Sequence, residues 1–389
     1  MRRGGGDGWP DSGSGAVVRP RPGSRAQRGG GAVVRARPGS RARRYGEVST
    51  LAARRALAAA AGLFADRLLG EPPAACHPVG AFGRLMARAE RLCWADSRLV
   101  GAAYGAAGVC LATVAGVLLD GAVGLVAATW LVVAGRSLDE SARRVHSALE
   151  AGDLSGARRL VGGLVGRRTA QLEESEVARA AVESVAENTV DAVVAPVLWA
   201  AGGGSAGALA YRAVNTLDAM VGHLDSRYGR FGWASARADD VANWLPARLT
   251  AVLVAAVRPS RAGQVWAAVR HQAPAHPSPN AGVAEAAFAA ALGLRLGGVN
   301  DYAGRLEIRP VLGDGRQPAA SDILEACRLS RDVTAAAAAG LLAAAMAMRP
   351  DRGVRRSGRR RGAGGQLLPR GRGIGPAWGF RRWSPWGGR

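Results

Sequence analysis

Three carboxylates follow one another at four-residue steps in the segment ESVAENTVDAVVAP. On a helix, Glu183, Glu187 and Asp191 lie on one face, within about 80° of each other. Three stacked carboxylates repel one another, so we expect this face to meet Mg²⁺, an amine or a basic helix. The alternative is the solvated acidic face of an amphipathic helix. The apolar residues that follow favour a functional role, because ionisable groups at a membrane boundary usually serve function.

A second group of polar side chains lies between Tyr211 and Leu249, in a segment otherwise apolar enough to be buried. Asn243 follows Asp239 and Asp240 by four and three residues, a spacing at which carboxylates and an amide can share one Mg²⁺ through oxygen ligands. Asp239 and Asp240 are therefore candidate metal ligands, with helix capping and ordinary ion pairing as the alternative. Arginines in this group suit phosphate or propionate. The candidate catalytic residues are Arg212, Asn215, Asp218, Arg237 and Asn243.

Two Pro-rich blocks add candidate binding residues. In HPSPNAGVAEAAF, Asn280 can cap the helix that follows, whose first N–H groups suit an anion. Capping without function is the alternative. In HPVGAFG, His77 lies in a loop where Pro and Gly mostly shape a turn. The sequence has no Lys and hence no Walker A motif, so any nucleotide chemistry must use a different site.

Apolar stretches long enough to cross a membrane must position these residues. Residues 99–135 carry a single charge, Asp120, next to Gly121, which predicts a transmembrane hairpin with a turn at that dipeptide. A buried soluble helical pair is the alternative. Arginines flank both ends of the hairpin, so the positive-inside rule places those ends in the cytoplasm. Further apolar stretches are 56–65, 192–210, 249–257 and 333–348. With few strand signals, we expect a mainly α, multi-pass helical integral membrane protein with four to six spans.

The net charge of +22 is concentrated in the two ends of the chain. Residues 1–46 hold eleven Arg against two Asp, and residues 349–389 hold twelve Arg against one Asp. Both segments are rich in Gly and Arg, so we predict disordered tails around a helical membrane domain at 47–348. The nearly neutral middle argues against a nucleic-acid-binding protein, which the charge alone would suggest.

The ordered blocks of this sequence resemble the CobD/CbiB family of adenosylcobinamide-phosphate synthases. The resemblance covers roughly residues 51–348. It is carried by DRLLGEPP with HPVGAFGRL, ESVAENTVDAVVAP, YRAVNTLDAMVGH, RYGRFGWASARADDVANWLPARL and HPSPNAG. It implies a multi-pass protein of the cell membrane that acts in cobalamin biosynthesis. The implied reaction joins aminopropanol or its phosphate, through an amide, to a propionate carboxylate of (adenosyl)cobyric acid.

The resemblance also implies cofactors, partners and roles. The family is taken to use ATP with Mg²⁺, and its partners are the corrinoid, aminopropanol (phosphate), membrane lipid and other enzymes of the corrinoid pathway. The three carboxylates of the first block, with Asp239 and Asp240, are assigned to metal binding or amine positioning. Arg212 and Arg237 are expected to neutralise phosphate and acyl oxygens. The candidate substrate-binding residues are His77, Tyr228, His276 and Asn280. A transporter or scaffold for corrinoids without catalysis is the alternative function.

Overall fold

The computed structural model describes residues 38–73, 76–302 and 305–348. By its internal contacts the chain divides into two units, 1–44 and 45–389. Of the first unit, only the first residues of helix α1 are described. That helix begins at Pro38, so it takes in the end of the segment 1–46. The predictions of disorder for residues 1–37 and for 349–389 lie outside the described residues.

The described part of the chain is mainly α-helical, as predicted. Its helices, in chain order, are α1 Pro38–Leu69, α2 Pro78–Cys93, α3 Arg98–Leu118, α4 Ala122–Val132, α5 Gly135–Glu150, α6 Leu154–Gly162, α7 Glu174–Thr189, α8 Ala195–Val221, α9 Trp233–Val257, α10 Ala262–His271, α11 Ala281–Leu292 and α12 Ala320–Ala347. A π-helical segment, Val190–Val194, joins α7 to α8. One antiparallel hairpin, β1 Leu296–Tyr302 with β2 Arg305–Leu312, was not predicted.

Six helical stretches of the described residues are long and apolar enough to cross a membrane, which agrees with the upper end of the predicted range. They are Val48–Leu69, Arg98–Leu118, Ala122–Glu150, Glu174–Val221, Trp233–Val257 and Ala320–Ala347. The fourth is interrupted at Gly204, whose φ of 67° is a conformation that favours glycine. The apolar stretches read from the sequence all fall in these helices, so the multi-pass helical architecture is confirmed.

The predicted hairpin is present, but its second arm is broken. Helix α3 ends at Leu118 and α4 begins at Ala122, with Gly121 at a φ of 108° in the turn between them. Helix α4 has only 11 residues, too few to cross the hydrocarbon alone. After α4 the backbone N–H of Ala134 donates to the carbonyl of Ala192 at 2.9 Å, and α5 then continues the stretch. The break therefore has its polar backbone satisfied inside the protein.

Glycines on α3 allow it to pack closely against α8 and against the segment that precedes α9. A Cβ at Gly116 would lie 2.4 Å from the Cα of Ala206, and one at Gly101 would meet the carbonyl oxygen of Phe231. Small residues at the contact between two helices let their backbones approach each other closely in membranes. This contact fixes α8 against α3, and α8 carries part of the polar site described next.

Candidate functional site

The three carboxylates of the first block lie along α7 and the π-helical segment, as the spacing predicted, but they meet different surroundings. Helix α7 is enclosed on nearly all sides, and ten consecutive residues from Val177 to Ala186 are buried. Glu183 is among them, whereas Glu187 is exposed and Asp191 is half-buried. Asp191 lies within the π-helical segment, a feature that is frequent at functional sites. The acidic face thus runs from the protein interior into an accessible cleft.

Two amide side chains hold the carboxylates of the cleft. The Nδ2 of Asn215 on α8 donates to Oδ2 of Asp191 at 3.1 Å and to Oδ1 of Asp239 at 3.4 Å. The Nδ2 of Asn243 on α9 donates to Oδ2 of Asp239 at 2.9 Å. The hydroxyl of Tyr211 donates to Oδ1 of Asn243 at 2.8 Å, which orients that amide. Four of the residues selected from sequence are therefore in direct contact.

A cavity of about 20 Å³ lies in the cleft, lined by Glu187, Asp191, Asp239, Asn243 and Asn280, among others. This is room for about one water molecule or a bare ion. Asn243 and Asn280 are buried in its floor, while the three carboxylates are at least partly accessible. The cleft therefore presents negatively charged carboxylates to a ligand, and two buried amide side chains lie beneath them.

Arg212 lies beside this cluster on α8. Its Nη1 is 3.5 Å from Oδ1 of Asn215, and its buried Nε has no hydrogen-bond partner among the described residues. Asp218, three residues after Asn215 on α8, is half-buried. A guanidinium with an unused buried donor suits an anion entering the cleft.

Arginines neutralise Glu183. Its Oε2 is 2.8 Å from Nη2 of Arg167, its Oε1 is 3.7 Å from Nη1 of Arg179, and Oε1 also accepts from the backbone N–H of Gly297 at 2.8 Å. Arg179 also donates to the carbonyls of Gly297 and Val299 in β1. The sequence suggested Mg²⁺, an amine or a basic helix as the partner of this acidic face. For Glu183, the positive charge comes from two arginine side chains.

His276 lies in a buried network beneath the loop before α11. Its Nε2 is 3.3 Å from Nη1 of Arg309 and 3.8 Å from Oε1 of Glu285. Burial lowers the pKa of His276, and the charge of Arg309 lowers it further. Burial raises the pKa of Glu285 well above its ordinary value, and the carboxylates of Glu183 and Glu187 add to the rise. His276 therefore takes part in a positioning network rather than lining the cleft itself.

Asn280 ties the loop before α11 to α9. Its Nδ2 donates to the carbonyl of Asp240 at 2.7 Å, and its Oδ1 accepts from Nη1 of Arg248 at 2.8 Å. No side-chain capping bond is found at Asn280, so its side chain serves this contact between elements instead. Asp240 itself pairs with exposed Arg237 at 3.0 Å. Asp239 and Asp240 therefore have different partners, because the side chains of adjacent helical residues point in different directions.

His77 belongs to the Pro-rich block HPVGAFG, which precedes α2. This buried side chain caps α2 by accepting from the N–H of Val79 at 3.2 Å, and its Nε2 is 3.7 Å from Oε2 of Glu71. Burial lowers the pKa of His77, with an opposing contribution from Glu71 and a smaller lowering one from Arg212. Tyr228 lies elsewhere, since its hydroxyl is 3.3 Å from Oε1 of Glu90.

The donor set of the cleft suits a hard cation that arrives with its own ligands. Among the described residues, no group of three or more His, Cys, Asp and Glu side chains is arranged to hold a metal ion alone. Glu187, Asp191 and Asp239 nevertheless line one cavity with oxygen atoms. Mg²⁺ is commonly held by one or two carboxylates together with substrate phosphates and water. The residues therefore fit Mg²⁺ bound to a phosphorylated ligand.

Several residues of these networks were missed from the sequence. They are Arg167, Arg179, Glu285, Asn300 and Arg309. Glu285 carried a signal, because a single carboxylate in the apolar run AGVAEAAFAAAL must be buried and is expected to have a partner. Arg179 carried one as well, because it precedes Glu183 by four residues, the spacing of an ion pair on one helical face. Arg167 and Arg309 contact Glu183 and His276, which lie far from them in sequence, and no local spacing marks such pairs.

Comparison with known proteins identifies a family and curated relatives. The model of the family described as CobD/Cbib protein matches residues 59–330. A cobalamin biosynthesis protein CobD from Mycobacterium tuberculosis (strain ATCC 25618 / H37Rv) is 46% identical over 305 residues, which cover 73% of this chain and 94% of the relative. Proteins of the same name from Geobacter metallireducens and Klebsiella pneumoniae subsp. pneumoniae are 44% and 40% identical, covering 65% and 68% of this chain and 85% and 89% of theirs. No solved structure gives a significant match.

Proposed function

Because this chain belongs to the CobD/CbiB family and hence to cobalamin biosynthesis, we propose that it is an amide-forming ligase of the cell membrane. It joins the amine of aminopropanol or aminopropanol phosphate to a propionate carboxylate of (adenosyl)cobyric acid and uses ATP with Mg²⁺. The corrinoid substrate follows from the pathway. The amine, the energy source and the cell membrane are parts of the proposal.

The observation that carries the proposal is the charge arrangement of the cleft. Glu187, Asp191 and Asp239 present accessible carboxylates, and Arg212 lies at the edge of the same cluster. Aminopropanol phosphate carries an ammonium and a phosphate a few bonds apart. Carboxylates suit the ammonium, and a guanidinium suits the phosphate. The charges in and beside the cleft therefore complement those at both ends of this small substrate.

The reaction forms a bond between the amine nitrogen and the carboxyl carbon and breaks one carbon–oxygen bond of the carboxylate. ATP would supply the driving force by transferring a phosphoryl group, with cleavage of one of its own P–O bonds, to the carboxylate oxygen that later departs with that group, and Mg²⁺ would neutralise the phosphates. The ammonium must lose two protons. Glu187 and Asp191 would hold the ammonium and accept the first proton as it becomes a nucleophilic amine, and the departing phosphate would take up the second when the carbon–oxygen bond breaks. Asn215 and Asn243 keep the carboxylates in place throughout.

The test is product formation by the purified, detergent-solubilised protein. It is given adenosylcobyric acid, aminopropanol phosphate, ATP and Mg²⁺, and the corrinoid is followed by mass spectrometry. We expect the amide product, dependent on the protein and on ATP. A parallel reaction with free aminopropanol identifies the preferred amine. Folded protein that binds the corrinoid and yields no product with either amine would contradict the ligase.

A corrinoid transporter or scaffold is the second candidate. The observation that favours it is the interruption of the Glu174–Val221 stretch at Gly204, together with ionisable groups in that stretch, since transporters use broken helices around polar sites. Uptake of cobyric acid into sealed proteoliposomes without ATP and without amide product would favour this function over the ligase.

A further inference from the structure

A second cavity, larger and mostly apolar, lies apart from the polar cleft. Its volume is about 510 Å³, within the range of small-molecule sites. Residues of α1, α5, α7 and α12 line it, with Leu63, Leu138 and Val185 buried in its floor. The chemistry proposed above makes no use of this cavity.

The mouth of the cavity lies between two candidate membrane spans. Phe64 of α1 and Leu342 of α12 line it and are 64% and 43% exposed, so both side chains would meet the hydrocarbon. The two helices touch where Ala53 and Ala56 pack against Ala345. The cavity lies on the side of this contact nearer the carboxyl end of α1. An occupant would therefore enter from the lipid.

A buried carboxylate group in the lining of the cavity has one oxygen without a partner among the described residues. Asp66 lines the cavity and is 2% exposed. Its Oδ2 accepts from the backbone N–H of Arg136 at 3.1 Å, whereas Oδ1 has no hydrogen-bond partner in the described part of the chain. A buried acceptor left unpaired is costly, so its presence calls for a donor from a ligand.

Two arginines line the same cavity. Arg67 lines it from an exposed position, and Arg331 lines it while donating to Oδ1 of Asp139 at 2.9 Å. The lining thus combines an unpaired acceptor and guanidinium groups with a mostly apolar chamber. We propose that this cavity binds a membrane phospholipid whose headgroup carries an ammonium beside its phosphate. The acyl chain lies between α1 and α12, the ammonium donates to Oδ1 of Asp66, and the phosphate meets Arg67.

The test measures lipid bound to the full-length protein by native mass spectrometry in detergent. Phosphatidylethanolamine and phosphatidylglycerol with identical acyl chains compete for the protein. We expect phosphatidylethanolamine to be preferred. Asp66→Asn should reduce that preference about tenfold, the effect of one hydrogen bond to a charged group. Size-exclusion elution as a single species shows whether this isosteric variant is folded.

A matched pair of variants tests the chamber itself. Ala335→Trp should place an indole ring in the cavity and weaken the binding of both lipids, whereas Ala339→Trp, one turn further along α12 and outside the lining, should bind like the unaltered protein. Equal lipid retention by the two tryptophan variants would overturn the site. Equal binding of the two lipids by the unaltered protein would overturn the ammonium contact. Neither result depends on ligase activity, so the lipid site and the proposed ligase function can be contradicted independently of each other.

Discussion

Carboxylates of neighbouring helices can have opposite uses, depending on the charge of their partners. Arg167 and Arg179 neutralise Glu183, so its charge is consumed in holding the fold together. Asp239 accepts from two neutral amides, those of Asn215 and Asn243, which orient the carboxylate and leave its charge in place. A charge that is fixed in position and not neutralised is what binds a substrate cation.

This contrast predicts different effects for two adjacent substitutions. Asp239→Asn removes the charge between the two amides and should lower amide formation by about a hundredfold or more, as expected for loss of a group that stabilises charge in an active site. Asp240→Asn breaks a pair with exposed Arg237 and should have a much smaller effect. Product formation by both purified variants, matched for size-exclusion profile, is the measurement. Equal losses would mean that both carboxylates face the same ligand.

The buried network around His276 predicts a pH dependence of stability. Because the folded-state pKa of His276 lies below the ordinary 6.5, the unfolded chain takes up a proton at higher pH than the folded chain does. The stabilisation by neutral His276 is complete above about pH 6.5 and is lost as the pH falls toward the folded-state pKa. Protonation would also remove the Nε2 acceptor that faces Arg309.

We therefore expect the thermal midpoint of the unaltered protein to exceed that of His276→Gln by more at about pH 7.5 than at about pH 5.5. Taking the difference between the two proteins cancels, to first order, the titrating groups that do not contact His276. A constant difference across this range would show that His276 does not change protonation there.

At the scale of elements, the sequence predicts helices well and contacts between distant segments poorly. Long apolar runs and the Asp120–Gly121 turn identify α3, α4, α8 and α12 because a span needs length and low polarity, both of which are local properties. The hairpin β1–β2 was missed because Gly297 and Gly298 interrupt any alternation, and because its anchor is Arg179, more than a hundred residues earlier. The cleft was partly predictable, since its members recur at helical spacing within two segments.

The close packing of α3 predicts a sharp difference between two of its glycines. Gly116→Ala would place a Cβ against the backbone of Ala206 and should destabilise the protein by about 1–3 kcal/mol, as overpacking of a core does. Gly105→Ala meets only the hydroxyl of Ser235, at 3.3 Å, which can rotate away. Alanine also favours helix over glycine by up to about 1 kcal/mol, so this variant should be neutral or more stable. Thermal midpoints in one detergent compare them, and equal midpoints would contradict this packing.

At the scale of the whole molecule, charge and hydropathy describe different parts of the chain. The +22 net charge suggests a nucleic-acid-binding protein, yet Arg-rich ends outside the described residues carry most of it. The helical part has six candidate spans and a family match over residues 59–330. Composition averaged over the whole sequence therefore misleads here, because function resides in the nearly neutral middle.

Orientation in the membrane is the property of the whole molecule that the Arg distribution predicts. By the positive-inside rule, arginines at the ends of the α3–α4 hairpin predict that those ends lie in the cytoplasm. Helix α3 has 21 residues, about 31 Å of helix, which is enough to carry the turn at Asp120 to the opposite surface. Native Cys93, exposed at the end of α2, should then be cytoplasmic.

Labelling intact cells with a membrane-impermeant maleimide tests this orientation. A protein that retains only Cys93 should react after permeabilisation but not before. A protein without its four native cysteines, carrying Asp120→Cys, should react in intact cells. The short α4 makes the result informative, because an 11-residue arm could also belong to a hairpin that dips into the membrane and returns. Protection of Asp120→Cys in intact cells would contradict a full crossing by α3, and labelling of Cys93 there would reverse the orientation.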